Sequence, residues 1–266
     1  MTSSLSNRRQ ASQWPARGPA RVLVVLERLV LGELIKLTLN HGVYATRVVS
    51  TSEAVEGMVT EWPPHLVVLD MDLDGARIIN LLSTRGSSDR RMPVIGLTRR
   101  GDLRNKLAAF DAGVDDILTV PFAPEELLAR VIALLRRAYS DAVTFTPVIK
   151  IGELEIDILK RTVRAGTSEL HLTSLEQSLL YLLAANAGRV VTREEILDTL
   201  WGVDYVAESN VVDRQIRNLR ARLQNDWRTP RFIATVPGRG YRFLPTFTDG
   251  PEAAALAAAA LASRAS

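Results

Sequence analysis

With 266 residues, 47% of them hydrophobic, the chain is long enough for one or two domains with proper cores. It has no cysteine, which excludes disulfides and thiolate metal sites and fits a reducing compartment. The net charge of +3 is unevenly spread: residues 21–137 carry 15 basic and 15 acidic side chains, 148–208 carry 6 and 10, and 209–247 carry 8, all arginine, against 2.

Residues 1–20 are rich in Ser, Arg, Pro and Gly and are expected to form a disordered tail. That stretch holds Arg8, Arg9 and Arg17 but no apolar core segment, unlike a signal peptide. No apolar run is long enough to span a membrane, so the expectation is a soluble cytoplasmic protein with no membrane partner. From Arg21 to residue 138 short apolar runs alternate with helical stretches. Strands are predicted at Val22–Leu26, Tyr44–Val49, His65–Leu69, Pro93–Leu97 and Ile117–Thr119. The helices between and after them are a stretch ending near His41-Gly42, Ser52–Glu61 capped by Ser52, Ala76–Arg85, Leu103–Ala112 closed by Gly113, and Pro124–Arg137. This alternation predicts an α/β domain, a doubly wound five-stranded parallel sheet. Sites in such sheets lie at the carboxyl ends of the strands, here Leu26-Glu27, Asp70, Thr98 and Val120.

The segments VLVVLE, VVLDMDLDG, PVIGLT and AGVDDILTVPFAPEELLARVIALLRR resemble the receiver domain of bacterial two-component response regulators. The resemblance implies a phosphoacceptor at Asp70 and a phosphoryl-contacting hydroxyl at Thr98. It places Glu27 at the second of two acidic positions that bind magnesium. The first acidic position is Leu26, the position of a charge-neutralising lysine is Val120, and that of a switch aromatic is Ile117. Phosphoryl transfer depends on positioning and charge stabilisation, and this pocket lacks a fixed cation and a carboxylate. The reading is therefore a degenerate receiver that needs no cofactor and serves dimerisation or control other than by phosphorylation. The alternative is a conventional regulator switched by a sensor kinase at Asp70. Glu27 and Asp70, with the backbone carbonyl of Asp72, could hold Mg2+ weakly; Glu27 could instead pair with Arg28 or Arg99. The resemblance also implies a homodimer through the face made by the fourth helix, fifth strand and fifth helix, with Asp115, Asp116 and Arg130 as interface candidates.

Residues 139–147 are expected to be a polar linker, and 148–247 a second domain. Val148–Leu172 alternates apolar and polar residues around turns at Gly152 and Ala165-Gly166, which predicts a small antiparallel sheet. Thr173-x-x-Glu176 and Thr192-x-x-Glu195 are capping boxes that open two helices, stopped by Gly188 and Gly202. A third helix runs from Ser209, its cap, to Leu223, with Asp213 in its first turn. Val212, Ile216, Leu219 and Leu223 share one face. Winding at 3.6 residues per turn puts Asn210, Arg214, Arg217, Asn218 and Ala221 opposite, flanked by Gln215, Arg220 and Arg222. Guanidinium and amide groups hydrogen-bond base edges and phosphates, and a local excess of arginine is the footprint of a nucleic-acid binder. Arg231–Val236 and Tyr241–Leu244 are predicted strands of a hairpin with Arg239 at its tip. Residues 248–266 are an Ala-rich tail, either a docking helix or a frayed end.

A small sheet, three helices and a hairpin give an α+β winged helix-turn-helix. LTSLEQSLLYLLAANAGRVVTREEILDTLW, SNVVDRQIRNLRARL and FIATVPGRGYRF resemble the effector domain of the OmpR/PhoB class of regulators. The resemblance implies double-stranded DNA as partner, with the third helix in the major groove and Arg239 reaching the minor groove. It implies phosphate contacts at Arg217 and Arg220, packing on the DNA backbone by Trp201 and Tyr241, and a base-reading position at Asn218. Arg214 and Gln215 depart from the family's apolar-His pair, which points to a different operator. The loop Val203–Glu208 corresponds to one that can contact RNA polymerase. The three histidines have no ligand spacing, and no Ser-His-Asp order, phosphate-cradling loop or zinc motif is present, so no enzyme is expected.

Overall fold

The computed structural model describes residues 19–39, 44–85, 91–99, 103–139, 148–202, 205, 210–225 and 228–244. The N-terminal tail, the linker from residue 140, the loop 206–209 with Ser209, the His41-Gly42 helix end and the Ala-rich tail lie outside the described residues. The chain divides into two compact units, each taken by itself.

In the first unit, strands β1 (Ala20–Val25), β2 (Tyr44–Val49), β3 (Leu66–Asp70), β4 (Val94–Thr98) and β5 (Asp116–Thr119) alternate with helices α1 (Leu29–Leu39), α2 (Ser52–Glu61), α3 (Gly75–Arg85), α4 (Leu103–Ala112) and α5 (Pro124–Tyr139). The strands form one parallel sheet in the order β2-β1-β3-β4-β5, the doubly wound arrangement that the alternation predicts. β3 and β4 are buried along their whole length because helices cover both faces of the sheet. α5 turns Leu127, Leu128, Val131, Leu134 and Leu135 inward. Most ends shift by a residue or two from their expected places, and β1 begins at Ala20. The cap of α2 is Thr51, not Ser52: the Thr51 hydroxyl accepts from the Ala54 N–H while Ser52 is already helical. Register sets Asp70 beside Leu97, so Asp70 and Thr98 close neighbouring strands at the same edge of the sheet.

The second unit begins with a four-stranded antiparallel sheet of β6 (Val148–Ile151), β7 (Leu154–Asp157), β8 (Thr162–Ala165) and β9 (Ser168–Leu170), in chain order. In chain order there follow α6 (Ser174–Ala185), β10 (Val190–Thr192), α7 (Arg193–Leu200, of which the second unit holds Arg193–Ile196), α8 (Val211–Arg222), β11 (Ile233–Val236) and β12 (Gly240–Phe243). Both capping boxes are present. Thr173 and Glu176 exchange side chain-to-backbone bonds of 3.3 and 2.8 Å, and Thr192 and Glu195 do so at 3.1 and 2.8 Å. α6 buries Leu179 to Leu183 without a break.

The hairpin gains a strand that local pattern does not reveal. Val190–Thr192 pairs with β12, giving a three-stranded sheet in the order β10-β12-β11. Gly240 makes this possible. Its φ is +155°, and a Cβ there would stand 2.2 Å from the Val191 carbonyl oxygen and 2.8 Å from the Thr192 Cα.

Candidate nucleic-acid interface and receiver pocket

α8 is fixed by its apolar side. Val211, Val212, Ile216, Leu219 and Leu223 are all buried, as the spacing requires. Consequently Arg214, Arg217, Asn218, Ala221 and Arg222 are exposed, while Gln215 and Arg220 are half-buried. Asn210 occupies the cap position but makes no side-chain capping bond. The helix therefore presents two arginines and an amide, Arg214, Arg217 and Asn218, on one accessible face. Arg239 is exposed at the hairpin turn, where its N–H donates to the Val236 carbonyl at 3.1 Å. Trp201 is half-buried at the end of α7, its ring 6.2 Å from that of Tyr205.

Two of the expected contact residues are committed inside the unit. The Arg220 Nη2 donates to the Ile233 carbonyl at 3.0 Å and to the Thr235 hydroxyl at 2.8 Å, which staples α8 to β11. Burial lowers the pKa of this guanidinium. Tyr241 is only 4% exposed, and its hydroxyl donates to Asp213 Oδ1 at 2.6 Å. Burial, and then this bond, push the Tyr241 phenol up to about 12. Asp213 also accepts from Arg193 Nε at 2.7 Å, and Arg193 lies 5.0 Å over the Tyr241 ring. Burial alone would raise the Asp213 pKa; the bonds from Tyr241 and Arg193 outweigh it and hold the carboxyl below its usual range.

Arg193 and Asn225 carry roles that sequence reasoning missed. Asn225 follows α8, and its side-chain oxygen accepts the N–H groups of Arg231, Phe232 and Ile233 at 2.9, 2.6 and 3.2 Å. The only local signal was an amide just past a helix end. Its partners lie too far along the chain for spacing to reveal.

In the first unit the expected pocket residues differ in burial. Asp70 is 3% exposed and Thr98 is buried beside it, whereas Glu27 is exposed. The Asp72 N–H donates to Asp70 Oδ1 at 3.1 Å. Arg28 and Arg99 do not turn to Glu27 as paired cations; their Nη2 atoms stand 4.0 and 3.8 Å from Asp70 Oδ2. Burial raises the Asp70 pKa, and the Asp72 N–H and the two arginines only partly offset it. Leu26, Ile117 and Val120 are all buried apolar residues.

The interface candidates are paired within the chain. Arg130 Nη1 donates to both Asp116 oxygens, at 2.9 and 2.7 Å, and its Nη2 to Glu126 at 2.7 Å. Asp115 accepts the Val94 N–H at 2.8 Å, tying β5 to the start of β4. Among the described residues no helix is long and apolar enough to cross a membrane.

Comparison with known proteins agrees with this layout. Residues 22–132 match the family described as response regulator receiver domain, and residues 167–243 the family described as transcriptional regulatory protein, C terminal. The response regulator MprA of Mycobacterium sp. strain KMS is 35% identical over 226 residues, 84% of this chain and 96% of that protein. MprA of Mycobacterium tuberculosis H37Rv is 35% identical over 83% of this chain and 96% of its own. Among solved structures, the response regulator DrrB of Thermotoga maritima, an OmpR/PhoB homologue, is 32% identical, with 85% of this chain and 99% of that one covered and a TM-score of 0.40. The chain belongs to the OmpR/PhoB family of response regulators, DNA-binding transcription regulators that join a receiver domain to a winged-helix domain.

Proposed function

We propose that this regulator binds a specific double-stranded DNA sequence through α8, with Arg239 on the adjacent minor groove, and that its receiver works without phosphorylation of Asp70. The observation that carries the DNA reading is the outward face of Arg214, Arg217 and Asn218 on a helix whose other face is buried. Arg217 serves as a phosphate contact and Asn218 as a base reader. Arg220 and Tyr241, committed to Thr235, Ile233 and Asp213, act by holding that helix in place. The receiver brings two copies together so that two winged helices meet adjacent half-sites about one helical turn apart.

Binding to a DNA sequence selected from a random pool, measured across salt concentrations, tests this. Arg217→Ala is expected to weaken binding to all sequences alike and to reduce the salt slope by about 1. An unchanged slope would remove Arg217 from the phosphate contacts. Asn218→Ala is expected to relax preference at one base position, worth about 1–3 kcal/mol of discrimination. A selected motif identical to that of the unaltered protein would refute the role.

A further inference from the structure

A hard divalent cation seeks six oxygen ligands and draws on one or two carboxylates for charge. The receiver pocket does not offer this set. The first acidic position is filled by Leu26, with no exposed surface, and Glu27 is exposed. Asp70 is the buried carboxylate, and two guanidinium groups already flank it: Arg28 Nη2 at 4.0 Å and Arg99 Nη2 at 3.8 Å. Arg99 Nε also stands 3.5 Å from Asp72 Oδ2. Among the described residues no group of three or more His, Asp or Glu side chains is placed to hold a metal ion. A divalent cation brought to Asp70 would face two fixed positive charges across a distance at which like charges repel strongly in a partly buried site. Magnesium does not fit here.

We infer that Arg28 and Arg99 are the resident counter-charge of this pocket, standing where a metal ion would otherwise neutralise Asp70, and that Asp70 is an unmodified anchor between them. This rests on the reading of the receiver as phosphorylation-independent and supplies its chemical basis. Each of the three groups needs the others. The buried carboxylate is costly alone, since burial favours its neutral form. The two arginines repel one another, and burial with the Arg99 charge lowers the Arg28 pKa. With Asp70 between them and Asp72 3.5 Å from Arg99 Nε, two positive charges meet two negative ones. Arg28 precedes α1, Arg99 follows β4 and Asp72 lies in the turn after β3, so the cluster ties three segments of the sheet edge together. Among the described residues the buried Nε atoms of Arg28 and Arg99 have no hydrogen-bond partner, so charge rather than directed bonding relates them to the carboxylates.

The test uses the full chain and two measurements. Titration with Mg2+ in a calorimeter is expected to give no saturable heat. Asp70→Asn is expected to lower Tm by several degrees in the otherwise unaltered protein, because two cations lose their partner. In an Arg28→Gln, Arg99→Gln background the same change is expected to leave Tm unchanged or raise it; if that double variant does not fold, Arg99→Gln alone serves as background. An equal Tm loss in both backgrounds would overturn the proposal. Exposure to a small-molecule phosphodonor with Mg2+, followed by intact mass, separates the two levels. A phosphoryl adduct lost in Asp70→Asn overturns the phosphorylation-independent reading and the arginine pair with it. Saturable Mg2+ binding at Asp70 without an adduct overturns the arginine pair alone.

Discussion

Tyr241 is an aromatic residue whose ring serves the core and whose hydroxyl serves the helix across from it. The bond to Asp213 is charge-assisted and half-buried, and such bonds contribute about 1–2 kcal/mol net. Tyr241→Phe is expected to lose about that much, read as a lower urea midpoint with unchanged slope, because Arg193 still satisfies Asp213. Sequence made half of this legible. The family resemblance placed Tyr241 on the DNA backbone, and helical spacing put the α8 arginines outside. It could not tell Arg220 from Arg217, since the difference is a carbonyl on β11 that only the folded chain brings near. The receiver pocket divides the same way. Leu26 and Val120 announced the lost charges by position, whereas Arg28 and Arg99 meet Asp70 from loops separated widely along the chain.

Elements fixed by short-range chemistry were the readable ones. The box at the start of α6 needs only Thr173 and Glu176, and the glycines that close helices act locally. Thr173→Ala is expected to cost about 1 kcal/mol, visible in denaturant unfolding of the full chain. Thr173→Asn should recover most of it, since an amide oxygen can accept the same N–H. β10 was not readable: three residues carry no period, and its partner β12 lies beyond two helices. The α2 cap went to Thr51 over Ser52 because either hydroxyl satisfies the local rule and backbone geometry chose between them.

Across the receiver as a whole, His65 joins distant parts. Its Nδ1 accepts the Arg21 N–H at 2.8 Å, its own N–H donates to the Arg21 carbonyl at 2.7 Å, and the Tyr139 hydroxyl donates to its carbonyl at 3.1 Å. The Tyr139 ring meets the imidazole edge-on at 5.6 Å, so the start of β1, the approach to β3 and the last residue of α5 converge on one side chain. Protonation would turn an acceptor facing an N–H into a donor. Burial, and then the Arg21 charge, hold the His65 pKa below its ordinary value of 6.5. The unfolded chain therefore takes up the proton first. Stability is full above about pH 6.5 and falls as the pH drops below it. Unfolding measured between about pH 7.5 and 5 should show this loss, and His65→Gln should flatten the slope; an equal slope in both proteins would assign the acid sensitivity elsewhere.

The bare Cα of Gly240 has a mechanical outcome. Because that strand lies flush against Val191 and Thr192, the finger bearing Arg239 shares a woven backbone with the segment that launches α7, while Arg220 and Tyr241 rivet α8 to the same weave. The distance between helix and finger is thereby preset, and under the proposed binding mode a double helix whose grooves do not match that gauge has to supply the bending itself.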